Sequence, residues 1–97
     1  MGKPKPWPFV YRVTWYNDPD EVADGTRKGS RWTKRATKKE ADYWEEAFQR
    51  LREYRLGKGT DWNDRLVIER APVGDWETMY EGEPMSVLQY QQMIGGE

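Results

Sequence analysis

Between Lys38 and Leu56 apolar side chains return every three or four residues, at Ala41, Trp44, Ala47, Phe48, Leu51 and Tyr54. That is the period of an α-helix with one face turned to a core, and it restricts the fold more than any other stretch. Its start is marked by Thr37 and Glu40, spaced so that the threonine hydroxyl accepts from the Glu40 amide while the glutamate carboxylate accepts from the Thr37 amide. Gly57 marks its end. Glu40, Asp42, Glu45 and Glu46 occupy the early turns and Arg50, Arg52 and Arg55 the late ones, opposing the partial charges of the helix ends, and Glu46 with Arg50 forms an i,i+4 pair.

A helix of this kind is held mainly by what its apolar face packs against. The partner is legible on either side of it. Phe9 to Tyr16 alternates as a strand, with Phe9, Tyr11, Val13 and Trp15 on one face and Val10, Arg12, Thr14 and Tyr16 on the other. A polar stretch containing Asp18-Pro19 and Asp24-Gly25 reverses the chain, and Ser30 to Ala36 resumes as a second strand, Trp32 facing one way and Arg31, Thr33 and Arg35 the other. After the breaks at Gly57 and Gly59, Arg65 to Arg70 reads as a third strand that turns Leu66 and Ile68 toward the helix, with Pro72 as its stop. A brief alternation at Trp76 to Tyr80 reads as a fourth, short strand.

Further on, Ser86 and Gln89 repeat the capping-box spacing, Met85 and Tyr90 can form a hydrophobic staple, and Gly95 follows as a stop. The spacing predicts a short helix over Val87 to Ile94 that docks on the domain; the other reading is a tail that becomes helical on a partner. The predicted class is therefore α+β: a small antiparallel sheet in the order β-β-α-β with a fourth short strand, one long amphipathic helix on one face, and a short C-terminal helix. The predicted organisation is an arm rich in proline and lysine over 1–8, a single domain over 9–80, and an acidic segment over 81–97. A chain of 97 residues cannot support two cores.

With no cysteine and no histidine, the chain has no disulfide, no thiolate nucleophile, no Cys-based metal site and no imidazole to move protons near neutral pH. It has six tryptophans and six tyrosines instead. That balance points to binding before catalysis: the expectation is no enzyme, no cofactor and no metal. Asn17, Asp18, Asp20, Glu21 and Asp24 crowd one loop but lack the alternating ligands and distal glutamate of a calcium loop. Gly57-Lys58-Gly59-Thr60 lacks the first glycine of a phosphate loop and follows a helix where a strand is required. Carboxylate pairs such as Asp61 with Asp64 are expected by chance among seventeen acids. Lys3 and Lys5 are followed by no apolar segment, and nowhere do about 18 apolar residues run together, so a cytoplasmic location is expected with no membrane association.

If Tyr11, Val13, Trp15, Trp32, Leu66 and Ile68 face inward, the opposite sheet face displays Arg12, Thr14, Tyr16, Arg31, Thr33, Arg35, Val67 and Glu69. That face is basic and carries aromatic content. Charge is also divided along the chain, ten Lys/Arg against four Asp/Glu in residues 1–39 and six against thirteen in 40–97. From Arg27 to Lys39 there are seven cations and no acid, whereas residues 75–97 hold acids and no cation. The expectation is that the acidic segment serves solubility or pairs with the Arg27 to Lys39 region, the other readings being imitation of nucleic acid or contact with a basic host surface.

The arrangement Tyr11-Arg12-Val13, Asp24-Gly25-Thr26, Thr37 to Glu40-Ala41 leading to Trp44, and Val67-Ile68-Glu69-Arg70 resembles small accessory proteins encoded by phages of actinobacteria, over roughly residues 9–71. The resemblance implies a binder acting in the host cytoplasm and assigns no functional residue.

Tryptophan, tyrosine and arginine tend to dominate interface energetics. The first reading is accordingly a small non-enzymatic interaction protein that binds and modulates a host protein through Tyr16, Arg31 and Arg35 on the open sheet face. Leu88, Tyr90 and Met93 of the C-terminal helix would make a second contact. The alternative is a nucleic-acid-binding module using Arg12, Arg27, Lys28, Arg31, Lys34 and Arg35, where arginine and lysine neutralise phosphates and rings stack on bases. A third reading is a self-associating structural protein, a homo-oligomer paired through exposed rings and edge strands.

Overall fold

The structure is a computed structural model that describes residues 10–71 and 75–95. Seven elements follow in order: β1 (Val10–Tyr16), α1 (Pro19–Ala23), β2 (Arg31–Ala36), α2 (Lys38–Gly57), β3 (Arg65–Ala71), β4 (Glu77–Gly82) and α3 (Val87–Gly95). The strands form one antiparallel sheet in the order β2-β1-β3-β4, and α2 lies across one face. The predicted α+β class, with a small antiparallel sheet, one long helix and a short terminal helix, is that of the molecule. Phe9, the arm over 1–8 and the stop at Pro72 lie outside the described residues.

Pairing register sorts the side chains. Trp15 lies opposite Trp32 on β2 and Leu66 on β3, and Val13 opposite Ile68, so these residues share the face under α2. Arg12 lies opposite Arg35 and Glu69, Thr14 opposite Thr33 and Val67, and Tyr16 opposite Arg31 and Arg65, which places all of them on the other face. A shift of one residue in any strand would have exchanged the two sets.

The core is built on rings. Tyr11, Trp15, Phe48 and Trp62 are buried together with Val13, Leu66 and Ile68. Trp15 sits at its centre: its ring stacks on Trp32 at 6.2 Å and meets Trp44, Phe48 and Trp62 edge-on at 6.1, 5.4 and 6.4 Å. Edge-to-face contact sets the positive ring edge against a negative face, adding about 0.5–1.5 kcal/mol per pair to area burial. Phe48 also meets Trp62 and Tyr80 edge-on.

The structure differs from the sequence expectations at several places. The polar stretch before β2 is more than a reversal, since it contains the helix α1. Its signal was present, since the Asp18 carboxylate accepts from the Asp20 amide as the N-cap and Pro19 takes the first turn, where no amide is needed.

The capping box on α2 is formed as predicted, but its buried stripe is narrower than the periodicity suggested. Ala41, Phe48 and Leu56 are buried, Trp44 and Ala47 are half-buried, and Leu51 and Tyr54 are 48% and 60% exposed. The half-buried stems of Arg52 and Arg55 cover the core in their place, with guanidiniums over Phe48 and Trp62 at 5.5 and 6.0 Å. Positions 41, 44, 48, 52 and 55 form the continuous line toward the sheet, and Tyr54 falls off it.

β4 begins one residue later than expected and runs to Gly82, with a bulge against Ile68 and Glu69 that leaves Met79 as the extra residue. α3 is docked. Trp62 and Met85 exchange backbone hydrogen bonds of 2.8 Å, the Asp61 carboxylate accepts from the Val87 amide, and the Ser86/Gln89 box is closed. Met85, Val87 and Tyr90 pack against the core, while Leu88, Met93 and Ile94 face outward.

Candidate binding site at the basic edge of the sheet

The face of the sheet away from α2 has no helix across it among the described residues, and register brings four arginines onto it. Arg31 and Arg65 lie over the Tyr16 ring, their guanidinium carbons 6.0 and 5.0 Å from its centre. Arg12 and Arg35 lie over Trp76 at 4.1 and 5.8 Å. Such stacking holds a flexible side chain near one orientation without using its hydrogen-bond donors.

Two of the four are committed to carboxylates: Arg12 donates to Glu69 at 2.9 Å and Arg65 faces Glu83 at 3.8 Å. Arg31 and Arg35 are exposed on edge strand β2 and meet no carboxylate among the described residues. Between the two arginine and ring pairs, the hydroxyls of Thr14 and Thr33 are 3.2 Å apart.

The structure redistributes the other cations of the 27–39 run. Arg27 points inward rather than joining a nucleic-acid face: it donates to Asp64 at 2.7 Å, pairs with Glu21 at 3.0 Å and donates to the Asn17 side-chain carbonyl. Burial works against the charged guanidinium, but the hydrogen bond and charge of Asp64, with the charges of Glu21 and Asp18, outweigh it and raise its pKa. Asp64 is itself 2% exposed and also accepts from Trp15 Nε1 at 2.8 Å and from the Asp18 amide at 2.7 Å. Lys38 pairs with Asp42 on its own helix. Lys28, Lys34 and Lys39 remain exposed.

Among the described residues, the acids of 75–97 form no ion pair with the 27–39 region. Glu77 and Glu83 pair with Arg70 and Arg65 of β3. The strand order is the reason, because β4 stands three strands from β2, or about 14 Å at the usual spacing of ~4.8 Å. One edge of the sheet is therefore basic and the other acidic.

The crowded acidic loop is occupied by turn chemistry. Asp18 caps α1, Glu21 pairs with Arg27 and Arg55, and the Asp24 carboxyl is held below the usual range by hydrogen bonds from the Thr26 side chain and amide. Among the described residues no group of three or more His, Cys, Asp or Glu side chains is placed to hold a metal ion, and no helix is long and apolar enough to cross a membrane.

On the α2 side of β2 lies an open cleft of about 470 Å³, absent from the sequence expectations. Its apolar wall is Trp15, Trp32, Trp44 and Leu51, and its polar groups are Asn17, Arg27 and Lys34. Lys34 Nζ stands 5.9 Å from the Trp44 ring centre. The one sequence signal was Trp32, a large ring on a strand otherwise built of charged and small residues.

The remaining predicted contacts separate. Tyr16 joins Arg31 and Arg35 on the bare face, whereas Leu88 and Met93 are exposed on α3 and Tyr90 is half-buried against the core. Rings do not crowd the outside as the composition suggested, since Tyr43 and Tyr54 are the only described rings more than half exposed.

No family model, no curated protein and no solved structure matches this chain.

Proposed function

We propose that this chain is a small, non-enzymatic interaction module whose bare sheet face docks an acidic protein surface. The observation that carries the reading is the pair Arg31 and Arg35, exposed, without a carboxylate among the described residues, and held over aromatic rings. A guanidinium already oriented loses less rotamer freedom when it takes up a carboxylate, and its planar fork matches two carboxylate oxygens at once. The four-stranded sheet supplies a rigid backing, and the exposed Thr33 hydroxyl, bonded to the buried Thr14, offers a hydrogen bond between the charged rows.

Single-stranded nucleic acid fits less well. Base stacking needs an open ring face, and guanidiniums lie over both Tyr16 and Trp76. Arg27, which a phosphate track would need, is spent on Asp64 and Glu21. The layout resemblance to accessory proteins of actinobacterial phages adds the suggestion that the partner is a host protein whose activity is altered by being held.

Affinity capture from such a host, comparing the wild type with Arg31→Ala/Arg35→Ala, is expected to show at least a tenfold loss of a specific protein; unchanged recovery would remove this face from the proposal. Titration with single- and double-stranded oligonucleotides across salt concentrations checks the alternative, which requires an affinity that falls steeply as salt rises.

A further inference from the structure

We infer that the free edge of β2 takes an extended acidic segment of a partner as a fifth strand, with an apolar side chain of that segment seated in the tryptophan cleft. This rests in part on the proposed role of Arg31 and Arg35 and specifies the form of the partner.

Three independent observations converge on this edge. β2 is the outermost strand, so half of its backbone N–H and C=O groups face away from β1 and are available to a new neighbour. Its two faces differ in chemistry: Arg31 and Arg35 project to the bare face, while Trp32 and Lys34 project to the cleft side. The cleft runs beside the same strand and is large enough, at about 470 Å³, for one or two apolar side chains between Trp32, Trp44 and Leu51. Because a strand sends alternate residues to opposite faces, one segment with acidic and apolar residues in alternation would satisfy both sides at once.

Charge selects among the occupants. β2 carries Arg31, Lys34 and Arg35 and no acid, so a second copy pairing β2 to β2 would set like charges directly opposite, which is destabilising. The chain's own first eight residues contain Lys3 and Lys5 and three prolines, which supply neither opposite charge nor a full set of strand donors. An acidic strand meets neither obstacle. Lysine and arginine on an edge are a common protection against self-pairing, and here the same residues leave the edge open to a segment of opposite charge.

The test uses the full chain and capped seven-residue peptides. A peptide alternating glutamate and valine is expected to bind, to slow amide exchange across Arg31–Ala36, and to shift the resonances of Trp32 and Leu51. Peptides alternating lysine and valine, or glutamate and serine, and a glutamate/valine peptide N-methylated along one edge, are each expected to bind at least about tenfold more weakly. Lys34→Glu and Leu51→Asp, both at exposed positions, are expected to weaken the first peptide by a similar factor while leaving the protein's own spectrum folded.

The inference is overturned if the glutamate/valine peptide does not bind, if the lysine peptide or the N-methylated peptide binds as well, or if Leu51→Asp has no effect. It is also overturned if sedimentation shows that the protein alone self-associates through β2, or if an oligonucleotide protects the same amides more strongly at equal salt. Loss of peptide binding by Lys34→Glu with the captured partner retained also overturns the inference while leaving the bare-face reading standing. Arg31→Ala/Arg35→Ala reads the bare face in the capture experiment.

Discussion

A carboxylate beneath a tryptophan ties together three distant parts of the chain. Asp64 gathers Trp15 Nε1, the Asp18 amide and the Arg27 guanidinium, and so fixes the end of β1, the start of α1 and the approach to β2 around one buried point. Arg27 is partly exposed, which lessens the cost of hiding the pair, yet removing one partner of such a pair still leaves donors aimed at nothing. Asp64→Asn is expected to lower stability by about 3 kcal/mol in denaturant unfolding while the strands remain paired. This cluster was not legible in the sequence. In the sequence Asp64 is one of seventeen acids and Arg27 the first cation of a run. Their partnership spans 37 positions and depends on where two loops come to rest.

At the scale of elements, alternation and caps were informative because each reports a local geometry. The registers of β1, β2 and β3 put every residue of the inward and outward sets where period-two counting placed them. What counting could not supply was rotation and fit. α2 turns so that Arg52 and Arg55 cover rings while Leu51 opens onto the cleft, and Phe48 packs into the sheet against Trp15, Tyr80 and Gly82. Gly82 shows how close that meeting is: a side-chain carbon there would lie less than 3 Å from three atoms of the Phe48 ring. The ring is fully buried and has nowhere to retreat. Gly82→Ala is expected to cost about 1–3 kcal/mol, read as a lower midpoint in urea, whereas alanine at Gly57, with open space around its Cβ, should not.

For the molecule as a whole, the tryptophans that build the core also place it under optical observation. Trp15 and Trp32 stand nearly parallel, 16° apart, with Trp44 and Trp62 across them within 6.4 Å of Trp15. Indoles this near and this fixed share their excited states. The native protein should therefore show a strong near-ultraviolet dichroism couplet that vanishes on unfolding, and Trp32→Phe should diminish it selectively. A side chain entering beside Trp32 is expected to perturb the same transitions, so the dichroism of the unlabelled protein should report occupancy of the cleft.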